Sequence, residues 1–183
     1  QLTVGPGTRF LDIHRELERK GLTLLTMTSG KGGTLIGWMA TGGMGFGTFH
    51  HGPVREQLIS IRVITPEGKV QDLKAEDPEI SNFLSTEGQM GIILRATLKV
   101  GQRPFQWFPF LLPFEKSSAA YAFAKQLSRH PSLKPHDLII YHTELTRILK
   151  AQSNGRMSVE PKNLVLVAFS EEEQAHGFKA YLN

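Results

Sequence analysis

Apolar positions recur along this chain with two spacings, and the spacing changes at glycines and prolines. Leu2-Thr3-Val4 is a short apolar and β-branched run stopped by Gly5-Pro6-Gly7, which predicts a strand and a turn. Phe10, Ile13 and Leu17 follow at intervals of three and four, laying one apolar stripe along a helix. Thr8 is placed to cap its start and Gly21 to end it. Leu22 to Leu25 then predicts a short strand. Leu58 to Ile64 and Val70 to Leu73, joined by Pro66-Glu67-Gly68-Lys69, predict a hairpin whose turn is set by proline and glycine. Ile80 to Leu84 predicts a short helix, and Gly91 to Val100, β-branched and partly alternating, another strand.

A second pattern begins after Gly101-Gln102-Arg103-Pro104, so the chain divides into residues 1–101 and 102–183. Trp107 to Leu112 predicts a strand, and Ser117 to Arg129 a helix with Ala120, Phe123, Ala124 and Leu127 on one face. Asp137 to His142 and Asn163 to Phe169 predict two more strands, and Glu171 to Leu182 a final helix. Ser153-Asn154-Gly155 reads as a loop. Trp107, Phe108 and Phe110 are expected in a domain core.

Composition narrows the chemistry. The chain has 183 residues and no cysteine, which removes disulfides, thiolate metal sites and a cysteinyl flavin link, and suits a reducing cytoplasm. No apolar run reaches the roughly 18 residues of a membrane span, so the expected setting is cytoplasmic, free or peripheral to a membrane. The formal charge of +4 is spread along the sequence instead of forming a basic stripe, which disfavours nucleic acid as a partner.

The densest feature lies between residues 30 and 47, where Gly30, Gly32, Gly33, Gly37, Gly42, Gly43, Gly45 and Gly47 stand, eight of the 18 glycines. A P-loop fails, because Gly30-Lys31 is followed by Gly32 and preceded at the needed distance by Leu25. The dinucleotide fingerprint fails too: Gly43-Met44-Gly45 would need a third glycine at Thr48, and Gly30-Lys31-Gly32 one at Leu35. No GxSxG elbow or HExxH helix is present, and no metal site is expected. Missing Cβ atoms permit positive φ and close approach, either to other backbone in tight turns or to a phosphorylated, flat ligand. Composition leaves both readings open.

Thr34-Leu35-Ile36-Gly37-Trp38-Met39-Ala40-Thr41-Gly42-Gly43-Met44-Gly45 resembles the Thr-Val/Ile-Gly-Gly-Trp, Ala-Thr, Gly segment of the FAD-linked oxidases of the vanillyl-alcohol oxidase type. His51-Gly52 is similar to that family's Tyr-Gly step, Val63 to Gly68 to its Val-Val-Thr-Pro-Asp-Gly hairpin, and Glu87 to Ile93 to its Glu-Gly-Thr-Leu-Gly-Ile-Ile signature. Val4-Gly5-Pro6-Gly7-Thr8 resembles the opening of the family's second FAD subdomain. The segments keep the family's order over residues 2 to 101. The sequence departs from the pattern at Ile36, where a glycine is usual, at His51 for tyrosine, and at Gln89-Met90 for Thr-Leu.

The resemblance implies an α+β fold, with the second FAD subdomain over residues 1–101 and the start of a substrate domain over 102–183. It implies FAD as cofactor, held by Thr34, Gly37, Thr41, Gly42, Gly43 and Gly45, with Gly91 and Ile92 near the adenosine portion and Glu87 bracing its loop. The implied activity is hydride transfer from a small hydroxy acid or alcohol to flavin, with the electron acceptor unassigned. The family's first FAD subdomain is expected ahead of Gln1, which makes the chain a fragment, inactive alone. A degenerate, non-catalytic module with little FAD affinity is the alternative. No catalytic base is assigned. Tyr141 and His142 are the candidates to follow, although a satisfied position in a sheet accounts for both. His50 and His51, adjacent on a chain read as extended, point apart and are expected in a loop, and the equal spacing of His130, His136 and His142 is broken by Pro131 and Pro135.

Overall fold

A computed structural model describes residues 1–30 and 32–183; Lys31, tested above within the phosphate-loop motif, lies outside the described residues. The chain forms two units, Gln1–Arg103 and Pro104–Asn183.

In the first unit β1 (Leu2–Val4) leads through the Gly5–Pro6–Gly7 turn into α1 (Phe10–Glu18). Thr8 does not cap that helix. Its hydroxyl accepts the Gly5 N–H at 3.2 Å and closes the turn, while Arg9 occupies the N-cap position without a side-chain cap bond. Phe10, Ile13 and Leu17 are buried as their spacing requires, and Gly21, at φ +66°, takes the left-handed position after the helix. Then come β2 (Leu22–Leu24), the short helices α2 (Leu35–Ala40) and α3 (Thr48–His51), β3 (Leu58–Ile64), β4 (Val70–Lys74), a 3-10 turn at Pro78–Phe83, β5 (Ile92–Leu98) and β6 (Val100–Gln102).

Four strands pair antiparallel in the order β1-β5-β3-β4, and β2 pairs with β6 in a separate ribbon. The hairpin β3–β4 turns at Gly68, φ +78°. Partial alternation in β5 has a cause: Val63 faces Ile93 but Arg62 faces Arg95, so Leu94 is an extra residue in the ladder. This bulge lets Ile93 and Ala96, three apart, both enter the core. On the outer face the Arg62 guanidinium grips Asp72 through two bonds of 2.8 and 2.6 Å.

The second unit runs β7 (Phe108–Phe114), α4 (Ser117–Ser128), β8 (Asp137–Tyr141), α5 (Thr143–Gln152), β9 (Asn163–Phe169) and α6 (Glu172–Leu182). Its antiparallel sheet has the order β7-β9-β8. Pro109 and Pro113 sit in β7 opposite Ala168 and Leu164 of β9. Ala120, Ala124 and Leu127 of α4, Phe178 of α6 and Val165, Val167 and Phe169 of β9 form the core. Phe178 stands 5.0 Å from the Phe110 ring and 5.3 Å from Phe169. Phe108 and Phe110 pack on this core, whereas Trp107, 38% exposed, lies at its margin against the His136 ring, 4.5 Å away. The helix α5 has no counterpart in the sequence reading. His142, read as the end of a strand, is its N-cap, with Nδ1 accepting the Glu144 N–H at 3.4 Å.

Two outcomes test this account. Phe178→Ala removes the ring joining α6 to the sheet and should cost about 3–5 kcal/mol in urea unfolding. The Asp72 carboxyl is held below its ordinary range, first by the Arg62 hydrogen bond. A depressed carboxyl stabilises the fold above its unfolded pKa of about 3.9, and that stability goes as pH falls through the lower folded value. Asp72→Asn should therefore flatten the acid limb of the urea midpoint plotted against pH below about 4.

Candidate functional site

The segment Gly33 to Leu35 is stitched to the start of α1: Phe10 N–H donates to the Gly33 carbonyl at 3.0 Å and Leu35 N–H to the Thr8 carbonyl at 3.1 Å. Thr34 is thereby held at the N-cap of α2, its hydroxyl accepting the Gly37 N–H at 3.3 Å. Trp38 projects from the helix to meet the Phe10 ring edge-on at 5.3 Å, and Thr41 closes the far end by donating to the Trp38 carbonyl at 3.0 Å.

These groups wall an open cleft of about 360 Å³. Thr34, Gly37, Trp38 and Thr41, on α2 or its caps, line it together with Phe10, Thr28, Gly30 and Gly33. The volume falls in the low part of the roughly 300–1,000 Å³ range of small-molecule sites. Three of the residues expected at the cofactor, Thr34, Gly37 and Thr41, meet here. Phe10, Thr28, Gly30, Gly33 and Trp38 were not singled out by sequence. Gly30 and Gly33 lay within the glycine-rich run, but nothing in their spacing separated them from its other members.

Gly43 and Gly45 of that run, and Gly91 beyond it, answer to the polypeptide itself. Gly43, at φ +53°, would put a Cβ 2.0 Å from Val54 Cγ1, and one on Gly45 would lie 2.2 Å from the Met27 carbonyl oxygen. At Gly45 the chain crosses the extended segment at Met27, where Met27 N–H donates to the Phe46 carbonyl at 2.9 Å in an isolated bridge. Gly91, φ +139°, is pressed against the Ile64 carbonyl, 2.5 Å from an added Cβ, and the Phe83 ring. Gly42 follows α2 with Ser85 Oγ 3.5 Å from such an atom, and Ile92 stands 60% exposed on β5. These five are not among the residues described as lining the cleft. By contrast, a Cβ at Gly30 or Gly33 would meet nothing nearer than 3.8 Å, so there the missing side chains leave open room in the cleft wall.

Ile36, the departure from the family's glycine, points away from this space: its side chain is buried in the core at 6% exposure. Glu87, at φ +56°, donates its N–H to the Ala40 carbonyl at 2.8 Å and ties its loop to the end of α2. His50 and His51 lie on α3 and not on extended chain, their rings 4.6 Å apart. No group of three metal-ligating side chains occurs among the described residues. Among them, no helix is long and apolar enough to cross a membrane. In the second unit, burial and then the charge of Asp137 raise the Tyr141 phenol above its ordinary value.

Residues 1–74 match the family described as FAD binding domain. Cytokinin dehydrogenase 2 of Arabidopsis thaliana is 30% identical over 59% of this chain and 22% of its own length. D-lactate dehydrogenase of Anaerostipes hadrus is 26% identical over 86% of this chain and 34% of its own. A solved alkyldihydroxyacetonephosphate synthase superposes on 98% of this chain and 38% of its own with a TM-score of 0.69, at 24% identity, which shows a shared fold. The first unit is thus similar to the FAD-binding domain of FAD-linked oxidases and dehydrogenases. The chain spans between 22% and 38% of the length of these three proteins.

The match to an FAD binding domain makes FAD the cofactor, and the residues of the cleft have chemistry that suits part of it. Backbone at Gly30 and Gly33 leaves room for a bulky neighbour; Thr28 and Thr34, whose hydroxyls accept the Gly30 and Gly37 N–H, keep an O–H to donate, Thr41, which donates to the Trp38 carbonyl, keeps lone pairs, and Phe10 and Trp38 offer apolar surface. The division of labour between glycines is open to measurement. Gly43→Ala or Gly45→Ala should lower stability by at least about 1–3 kcal/mol through overpacking. Gly30→Ala and Gly33→Ala should leave the urea midpoint nearly unchanged while weakening FAD binding in calorimetry.

Proposed function

We propose that this chain supplies part of the flavin site of an FAD-dependent oxidoreductase that takes a hydride from a small hydroxy acid or alcohol. The carrying observation is the cleft beside α2, where Thr34, Gly37 and Thr41 meet the side-chain-free positions Gly30 and Gly33. When bound, FAD supplies the redox chemistry by accepting the hydride on its ring. The chain's part is to hold and orient. The Thr34 hydroxyl fixes the start of α2, and Thr28 and Thr41 present hydroxyls toward the cofactor. Trp38 and Phe10 form the apolar wall that keeps water from one side of it. Gly42, Gly43 and Gly45 serve indirectly, by letting the chain pass Val54 and Met27 and so hold the end of α2 in place. Gly91 and Ile92 stand at the adenosine portion in this reading, with Ile92 the exposed contact.

Residues 104–183 belong to the substrate domain in this reading, with Tyr141 the side chain to follow, since His142 is engaged as the cap of α5. The resemblance to a D-lactate dehydrogenase supports a 2-hydroxy acid as substrate. A cytoplasmic setting belongs to the same proposal, supported by the lack of cysteine.

A second reading has its own observation. Gly43, Gly45 and Gly91 are demanded by the fold alone, so a module that had lost flavin would retain them. The full-length product separates the two. It should be yellow, with flavin absorption bands that a D-2-hydroxy acid bleaches without oxygen. A colourless product that takes up no added FAD would leave the degenerate module.

A further inference from the structure

Hydrogen-bond donors gather on the outer face of the four-stranded sheet, on residues that do not line the cleft. Ile61 of β3 and Ala96 of β5 pair in register and are buried, at 1% and 0% exposure. Side chains alternate along a strand, so Ser60 and Arg62 beside Ile61, and Arg95 and Thr97 beside Ala96, turn to the opposite face. Ser60 pairs with Thr97 and Arg62 with Arg95. These four therefore mark the corners of a patch of about 5 by 7 Å, the spacing of neighbouring strands and of alternate residues.

Two guanidiniums directly opposite each other repel. One carboxylate lies beside them: Asp72 of β4, opposite Arg62, whose guanidinium it takes through both oxygens. Arg95 Nη2 stands 3.9 Å from Asp72 Oδ1, outside hydrogen-bond reach, and its guanidinium has no hydrogen bond among the described residues. Thr97 shares a 3.0 Å bond with the Thr3 hydroxyl of β1, in which one hydroxyl donates and the other keeps its proton to give. The patch thus carries one positive charge beyond what Asp72 balances, and the fork of Arg95, half exposed, has no acceptor.

We infer that this patch is a binding site for a phosphate group, free or as a monoester, with Arg95 its principal donor and Asp72 an internal competitor for Arg62. The planar guanidinium fork matches two phosphate oxygens, and a third oxygen is left for a hydroxyl of the Ser60–Thr97 row. A single carboxylate has only two oxygens for the same donors. The inference does not depend on the flavin reading.

Inorganic phosphate, titrated by calorimetry and NMR into the full-length product with FAD in excess and salt at about 0.15 M to screen diffuse attraction, should bind saturably and shift the Arg95 side-chain N–H and Thr97 resonances. Arg95→Gln should weaken binding by about tenfold or more, the effect of one lost charge-assisted pair, and Arg95→Lys, which keeps the charge without the fork, should fall between. Asp72→Asn should tighten it several-fold. Arg19→Gln, which removes a charge 78% exposed at the end of α1, should leave it unchanged. Phenyl phosphate binding more tightly than inorganic phosphate, with shifts of the neighbouring Ile64 and Val70 methyl groups, identifies an organic ester as the ligand; equal affinity identifies the free ion. Absence of saturable phosphate binding overturns the site. Equal weakening by Arg19→Gln and Arg95→Gln reduces it to diffuse charge and overturns it as well. Phosphate binding that is lost when FAD is added assigns these donors to the cofactor and overturns a separate site.

Discussion

The first unit depends on main chain pressed against main chain where Gly45 passes the Met27 carbonyl. No side chain fits at that crossing, and the Met27–Phe46 hydrogen bond beside it fixes the separation. Upstream, two backbone bonds join Thr8 and Phe10 to Leu35 and Gly33. Together these contacts clamp both ends of the segment that contains α2. Six residues of helix would be marginal alone, since helices shorter than about 12 residues rarely hold in water. The clamps, the Thr34 cap and burial of Leu35, Ile36 and Met39 make it rigid enough to form a wall.

That arrangement divides the glycine-rich run into two classes with different physical causes. Gly43 and Gly45 are small because protein lies against them; Gly30 and Gly33 are small with open space before them. Helix geometry accounts for Ile36 standing where the resembled motif has a glycine. On a helix, successive side chains point about 100° apart, so the residue beside Gly37 enters the core while Gly37 faces the cleft.

Much of this was legible in the sequence because local chemistry and tertiary packing agree. Phe10, Ile13 and Leu17 announce a helix and are buried by it; Pro66 and Gly68 announce a turn and make one. Thr8 misled because a threonine before a helix and a threonine closing a Gly-Pro-Gly turn look alike in one dimension. The helix α5 escaped because its regularly spaced apolar residues, Leu145, Ile148 and Leu149, face outward, and the one buried member is Thr146. The cleft itself was only half visible. Thr34, Gly37 and Thr41 share a helix and a motif, but Phe10, Thr28 and Gly30 come to it through pairings that no local pattern announces.

The prolines of β7 give the second unit a polarity of growth. Pro109 and Pro113 are an even number of residues apart, so the donors they lack belong to the same side of the strand. Since β7 is an outer strand joined to β9 by its other side, its outward rim is short of hydrogens to offer. The opposite rim, β8, has no proline between Asp137 and Tyr141. β7 is thus a blunted edge for strand pairing, and β8 carries no proline that would blunt it in the same way.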